Sequence, residues 1–249
     1  ATADFDTIAH SIPGKAMTMR TMVAALFLAL GAATAAQAQS PGYFRYPALH
    51  GDTIVFTAEG DLWLGSAHGG AARRLTTHAG EESRAAISPD GAQVAFSASY
   101  HGPVESYVMP LSGGEPRRIS FENSRALVLG WTPRGEVLYA APSVSGQTWD
   151  WSISAVDPAT NARRTLPLAD ANDAVFSPDG NSVFFVRFGL GLTADNARGY
   201  RSGALAQLWR YDEGASEAVR LGPADVNLRS PRWWNGKLVV IVGGDDAET

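Results

Sequence analysis

A serine and a histidine stand two residues apart at Ser66 and His68, and these are the residue types of the nucleophile and the general base in a serine hydrolase. The surrounding Gly65–Gly69 stretch lies in a predicted turn between two strands, and neighbouring strand residues point to opposite faces of a sheet. No Gly-x-Ser-x-Gly nucleophile elbow occurs in the chain. We therefore do not expect Ser66 and His68 to form a catalytic dyad.

The other histidines are isolated in the sequence, and no two have the His-x-x-x-His spacing of a metal site. They are His10, His50, His78 and His101, and each is predicted to lie in a surface loop. The absence of cysteine excludes disulfides, thiolate metal sites and a cysteine nucleophile. Asp90 and Asp179 have the chemistry of calcium ligands or acid–base groups, but they recur between Pro and Gly, which predicts a turn role. No catalytic, cofactor-binding or metal-ligating residue is identified, and no cofactor is expected.

Tryptophans and arginine pairs are the remaining candidates for binding. The tryptophans are Trp63, Trp131, Trp149, Trp151, Trp209, Trp233 and Trp234. Most are predicted to pack within sheets, while Trp149 and Trp151, on either side of Asp150, leave a peptide-contacting role open. The arginine pairs 73/74, 117/118 and 163/164 recur on predicted outermost strands, where a solvated rim is expected.

These residues are placed by a repeated turn. Ser88-Pro89-Asp90-Gly91 recurs as Ser177-Pro178-Asp179-Gly180 and, altered, as Thr132-Pro133-Arg134-Gly135, each followed by an apolar strand. Pro presets φ, Asp bonds its own backbone and Gly tolerates positive φ, so each copy predicts a tight β-hairpin. With degenerate copies at Gly51 and Gly236, the turn glycines at 51, 91, 135, 180 and 236 are 40, 44, 45 and 56 residues apart.

A second marker keeps the same phase. Gly69-Gly70-Ala71-Ala72-Arg73-Arg74-Leu75-Thr76 matches Gly113-Gly114-Glu115-Pro116-Arg117-Arg118-Ile119-Ser120, and Ala162–Leu166 is a weaker copy. Repeats of about 40–50 residues that are rich in short strands are typical of propeller blades. The fold class predicted is therefore all-β, a β-propeller of four-stranded antiparallel blades. About four and a half blades are expected, as part of a six- or seven-bladed ring.

The predicted organisation has three parts. Residues 1–16 form an unassigned upstream segment, residues 17–38 a signal peptide, and residues 39–249 the incomplete propeller. The blades are expected at about 43–77, 83–121, 125–167, 172–222 and 228–249. The first strands of the fourth and fifth blades are predicted at Ala174–Ser177 and from Arg232, and a Gly-rich insertion at Phe188–Ala204.

The composition is that of an ordinary globular protein, with 45% hydrophobic and 18% charged residues. The net charge is −5 and the basic residues are scattered, which disfavours nucleic-acid binding.

The chain resembles the N-terminal propeller of secreted bacterial tricorn-type serine peptidases. The resemblance lies in Gly42–Pro47, Gly60–Leu64 and the arginine and Ser-Pro-Asp-Gly markers. Ala206–Tyr211 and Ser230–Gly236 are more specific to that family. The resemblance covers essentially all of residues 39–249.

The resemblance implies a non-catalytic propeller that filters or guides peptide or unfolded-protein substrates to a catalytic domain outside this chain. Its partners would be those peptides and downstream domains of the same polypeptide, and a homo-oligomer stays open. Two alternatives share the pattern: a Tol-system-like periplasmic propeller that binds protein partners, and the propeller cap of a prolyl-oligopeptidase-like hydrolase. Fold alone does not choose among them.

Export is the first testable expectation. Arg20 precedes the apolar run Val23–Leu30, and Ala36-Gln37-Ala38 matches an A-x-A cleavage site. That apolar run is shorter than the ~20 residues that span a bilayer. We therefore expect cleavage after Ala38, a periplasmic or secreted product beginning at Gln39, and no stable membrane insertion. N-terminal sequencing of the exported protein checks this expectation, and a product in the membrane fraction that keeps Met17 would contradict it.

Overall fold

The computed structural model describes residues 43–143, 150–187 and 205–243, and every regular element in these ranges is a β-strand. The predicted upstream segment, the predicted signal peptide and the predicted insertion at Phe188–Ala204 lie outside the described residues. The first nine strands are β1 Arg45–His50, β2 Thr53–Ala58, β3 Asp61–Ser66, β4 Arg73–Arg74, β5 Glu82–Ile87, β6 Gln93–Ala98, β7 Glu105–Pro110, β8 Arg117–Arg118 and β9 Leu127–Trp131. The other nine are β10 Val137–Pro142, β11 Trp151–Val156, β12 Arg163–Thr165, β13 Ala171–Phe176, β14 Ser182–Arg187, β15 Gln207–Asp212, β16 Val219–Leu221, β17 Asn227–Trp234 and β18 Lys237–Gly243.

These strands form four sheets of four and a final pair. β1–β4, β5–β8, β9–β12 and β13–β16 each pair in chain order, and β17 pairs with β18. All of these pairings are antiparallel. The prediction of an all-β protein with four-stranded antiparallel blades is confirmed.

The repeated turn closes the first hairpin of each sheet. In the second sheet, the Gly91 amide donates to the Ser88 carbonyl at 2.9 Å, and Gly91 has a φ of +72°. Only glycine adopts this conformation without strain, which explains why the turn ends in glycine. The copy at Thr132 is one residue shorter, because its hairpin closes onto Glu136.

The sheets are held together by cores that lie between neighbours. In β6, Val94 and Phe96 belong to a cluster shared with the first sheet, whereas Ala95 belongs to one shared with the third sheet. In β10, Tyr139 joins the cluster shared with the second sheet, and Leu138 joins the cluster shared with the fourth. Because alternate residues of a strand point to opposite faces, these sheets are buried on both sides.

The predicted first residues of two strands lie several positions after the observed ones. β13 begins at Ala171 rather than Ala174, and β17 begins at Asn227 rather than Arg232. Both starts carry polar residues, such as Asn172 and Arg229, which hide the apolar pattern that marks a strand.

Candidate functional site

The first strands of successive sheets lie against one another. β1 contacts β5, β5 contacts β9, β9 contacts β13, and β13 contacts β17. Blades of a propeller surround a central channel, and these five inner strands are the ones that approach each other. They are therefore the part of the described chain in which side chains from different blades meet.

The inner strands are all interrupted by irregular pairing. Register shifts occur between Arg45 and Ala48, Ser83 and Ala86, Ala171 and Asp173, and Arg229 and Arg232, and in the pairing of β9 with β10. Three residues at equivalent positions of these irregularities, Tyr46, Arg84 and Ser230, have φ of +51°, +54° and +52°. Left-handed backbone costs a non-glycine residue about 1–3 kcal/mol, and bulges of this kind re-aim a side chain. Because this strained backbone recurs at the equivalent position of three blades, the direction of the side chains there is a feature of the repeat.

At β1 and β5, the two side chains at the irregularities, Tyr46 and Arg84, form an aromatic and cationic cluster with Arg45 and with Tyr43, which precedes β1. The Arg84 guanidinium lies 5.2 Å from the centre of the Tyr46 ring. The Arg45 guanidinium lies 5.4 Å from the Tyr43 ring and 5.8 Å from the Tyr46 ring, and donates to Glu81 at 3.0 Å. We call Tyr43, Arg45, Tyr46 and Arg84 the inner-strand cluster. Tyr43 is 78% exposed and Tyr46 is 39% exposed, so the rings are accessible for binding.

The inner-strand cluster suits non-covalent recognition. Guanidinium groups donate hydrogen bonds to carbonyl oxygens. Tyrosine rings offer flat apolar faces, and a tyrosine side chain loses little conformational entropy on binding. Arginine and tyrosine are enriched among the residues that carry most of the binding energy at interfaces. The guanidinium and phenol groups of the cluster are suited to hydrogen bonding and stacking, which is the chemistry of binding.

A buried acid marks the start of β5. Glu82 is fully buried, and its carboxylate accepts from Thr76 Oγ1 at 2.9 Å and from the Tyr100 hydroxyl at 2.7 Å. Burial raises the pKa of Glu82 to about 6, although both hydrogen bonds favour the carboxylate and pull its pKa down. Asp61 nearby also raises the pKa of Glu82, and Arg74 lowers it.

Glu105, buried at the start of β7, has a different environment. Its carboxylate binds the Arg118 guanidinium at 2.6 Å and accepts from the Ser120 hydroxyl and from the amides of Glu122 and Asn123. In the first sheet, the corresponding arginine, Arg74, pairs with Asp61. The sequence pattern of acid, arginine and hydroxyl repeats, but Glu82 is an additional acid without an arginine bonded to it.

Ser66 and His68 do not form a catalytic pair. The Ser66 hydroxyl accepts from the backbone amide of His68 at 3.1 Å, as in a turn. The His68 imidazole instead contacts Asp52, with 2.9 Å between Nε2 and Oδ1, and both side chains are exposed. A serine nucleophile is activated when its hydroxyl contacts the imidazole of the base, whereas the Ser66 hydroxyl contacts the main-chain amide of His68.

The remaining histidines are less isolated than the sequence indicated. His78 stacks on Tyr100 with 3.9 Å between ring centres, and His101 lies 6.2 Å from His78. His50 lies against the Gly91 turn, and His10 lies outside the described residues. In the described ranges, no group of three or more His, Asp or Glu side chains is placed to hold a metal ion. Nor does any helix in those ranges have the length and apolarity to span a membrane.

The turn aspartates have the roles expected of them. The Asp90 carboxylate accepts from the Ala92 amide at 3.0 Å and from the Ser88 hydroxyl, and these bonds lower the pKa of Asp90. Asp179 makes the same contacts with Ser177 and Asn181. Trp151 is half-buried and packs against the core between the third and fourth sheets, and Trp149 lies outside the described residues.

The arginine rim is largely exposed, as expected, since five of the six arginines are exposed and Arg118 is half-buried, but its side chains also make specific contacts. Arg74 and Arg118 pair with buried carboxylates, as described above, and Arg73 and Arg117 donate to turns of the following sheet. The third pair is also displaced by one residue, because Thr165, not Arg164, occupies the position of Arg74 and Arg118. The contacts of Arg73 and Arg117 with the following sheet join residues that are 38 to 44 positions apart, and the sequence pattern does not reveal them.

Stacked four-stranded antiparallel sheets with contacting first strands define a β-propeller. A crystal structure of the tricorn protease superposes with a TM-score of 0.66 at 21% identity, over 84% of this chain and 22% of that one. A TolB-like protein from Agrobacterium tumefaciens gives 0.67 at 23% identity, over 84% and 73%. At these identities the likeness shows the fold.

The sequence comparisons show the family. The sequence-family model of the tricorn protease N-terminal beta propeller domain matches residues 41–246. Tricorn protease homolog 1 of Streptomyces coelicolor is 33% identical over 213 residues, which are 82% of this chain and 19% of that protein. The chain belongs to the tricorn protease N-terminal β-propeller family, and it spans about a fifth of the length of that relative.

The environment of Glu82 predicts a pH-dependent stability. Because its pKa is higher in the folded than in the unfolded protein, the stability it contributes is fully present below pH 4.5 and is lost as the pH rises through about 6. We expect Glu82→Gln to remove this loss, on the order of 1–2 kcal/mol, from the free energy of unfolding. Urea unfolding at pH values from 4.5 to 7.5 measures it.

Tyr100→Phe provides the matched control. It removes one hydrogen bond that favours the Glu82 carboxylate, so the pH dependence should move to higher pH. The same pH profile in the wild type and in Glu82→Gln would show that Glu82 does not titrate in this range.

Proposed function

We propose that this chain is the non-catalytic propeller portion of an exported tricorn-type serine peptidase, and that its inner-strand cluster holds peptide substrates on their way to a catalytic domain. The observation that carries the proposal is the set of exposed tyrosines beside half-buried arginines at the bulged inner strands β1 and β5. Family membership supports the peptidase context. The catalytic domain, with which the propeller cooperates, would belong to the same polypeptide outside this chain.

The geometry of the cluster supports a peptide as the ligand. A peptide presents carbonyl oxygens along its whole length, and two arginines within one cluster donate to such oxygens without selecting a sequence. The rings of Tyr43 and Tyr46 pack against side chains of many shapes. A module that guides varied substrates needs this kind of modest, repeated affinity.

Export supports the same proposal. The features at Arg20, Val23–Leu30 and Ala36–Ala38 that predict a cleaved signal peptide would deliver the protein to the periplasm or the medium. There, a peptidase that degrades peptides meets substrates from outside the cell.

A propeller that binds folded protein partners, as in the Tol system, is the alternative. The likeness to a TolB-like structure supports it at the level of fold. An exposed platform of rings and guanidinium groups favours extended peptides, because their main-chain carbonyls are not already paired. Binding of an unstructured peptide that depends on the inner-strand cluster is expected of the peptide-guiding function and not of the alternative, and the following test measures it.

Strain relief at the inner strands provides the test. Arg84→Gly removes the guanidinium and also the strained φ of +54°, so the folded protein should be as stable as the wild type or more stable by about 1 kcal/mol. The affinity for an unstructured peptide should nevertheless fall about 5- to 10-fold, since the cation–π partner of Tyr46 is lost. Fluorescence anisotropy with a labelled ten-residue peptide, together with thermal melting, measures both effects.

Ser230→Gly is the matched control. It relieves the same backbone conformation on β17, outside the inner-strand cluster, and should leave peptide affinity unchanged. Wild-type affinity in Arg84→Gly, or an equal loss in Ser230→Gly, would contradict the proposed role of the cluster.

A further inference from the structure

The repeat supplies an internal comparison, because equivalent positions of successive blades have the same local task. At the third position of the repeated turn, Asp90 and Asp179 cap their own turns through the main chain. The third blade has Arg134 at this position. In this shorter turn the Glu136 amide donates to Thr132 Oγ1, and Arg134 contacts Glu213 of the fourth blade, with 3.4 Å between Nη2 and Oε2.

A second departure from the repeat occurs on the outermost strand of the same blade. Arg73 donates to the carbonyls of Leu111 and Ser112, and Arg117 donates to the Pro158 carbonyl, so each joins its blade to a turn of the next one. Arg164 occupies the equivalent position, opposite Ala155. Its guanidinium instead makes two bonds to Glu136 of its own blade, at 2.8 and 2.6 Å. The link to the fourth blade that the repeat would supply is not made by this arginine.

The two departures meet at one cavity. A space of about 180 Å³ lies between the third and fourth blades, and Arg134, Arg164 and Glu213 are among the residues that line it. Leu166, Phe176 and Tyr211 contribute apolar lining. By volume this is room for one aromatic or branched aliphatic side chain, since benzene enters a protein cavity of about 150 Å³.

Arg134 is the cation at this cavity that an incoming anion can reach. The other lining arginine, Arg164, is already held by two bonds to Glu136, whereas Arg134 meets Glu213 at 3.4 Å. The Arg134 and Glu213 side chains are 66% and 67% exposed, and a long, exposed ion pair of this kind contributes little to stability. An incoming carboxylate can therefore replace Glu213 on Arg134 at small cost.

We propose that this interblade cavity is a docking site for a partner polypeptide segment, in which an apolar side chain enters the cavity and an adjacent Asp or Glu side chain pairs with Arg134. The site is separate from the inner-strand cluster and shares no residue with it. Its failure would leave the proposed peptide-guiding function untouched.

Peptides blocked at both ends probe the site in the full chain. A peptide with a leucine–aspartate pair should bind, and its leucine–asparagine and alanine–aspartate counterparts should bind at least 10-fold more weakly by isothermal titration calorimetry. If a peptide binds only when its own C-terminus is unblocked, the site recognises a terminal carboxylate and the proposal is wrong. Equal binding of the aspartate and asparagine peptides would also overturn it.

Arg134→Asp is the informative variant, because it reverses the charge that the incoming carboxylate meets. It should lower the affinity for the leucine–aspartate peptide at least 10-fold, and circular dichroism with thermal melting checks that the variant is folded. Arg134→Lys keeps the charge and should stay within about 3-fold of the wild-type affinity. Arg73→Ala, which removes an interblade arginine far from the cavity, should leave this affinity unchanged. Wild-type affinity in Arg134→Asp would overturn the proposal.

Discussion

The structure depends on the burial of each inner sheet against both of its neighbours. Alternate side chains of β6 and β10 enter different clusters, so one strand contributes to two cores. Burial of apolar surface is the main favourable contribution to folding, and each of the three core clusters among the described residues combines side chains of two neighbouring sheets. A single blade therefore has no core of its own, and the stability of the stack is shared among neighbouring interfaces.

Polar groups at the blade edges follow from the same arrangement. Buried strand starts bring Asp61, Glu82 and Glu105 out of water, and a buried carboxylate needs hydrogen bonds or a cation. Arg74 and Arg118 supply a cation for two of the three acids, and hydroxyl groups supply the partners of Glu82. Arg74 and Arg118 are thus structural residues. Arg73 and Arg117 join neighbouring blades, and Arg164, which occupies their position in the third blade, instead bonds Glu136 of its own blade.

The sequence predicted what is decided locally. The turns at Gly91 and Gly180 depend on the conformations of four consecutive residues, so Pro, Asp and Gly at fixed spacing were sufficient to place them. The same markers gave the blade count and the fold class. The bulges at Tyr46 and Arg84 were not predicted, because their positive φ is imposed by neighbouring strands and neither residue favours it. The partners of Arg73, Arg117 and His78 were also missed, since they come from distant turns and loops. Both candidate binding sites are made of such contacts.

Photocrosslinking tests most directly whether peptides bind this chain at its inner strands without being cleaved. An unstructured peptide without acidic side chains, carrying a benzophenone, would be irradiated with the full chain and the crosslinked residues mapped by mass spectrometry. We expect crosslinks within 43–46 and 83–84, with the peptide recovered intact. Crosslinks confined to the outermost strands β4, β8, β12 and β16, or a cleaved peptide, would contradict it.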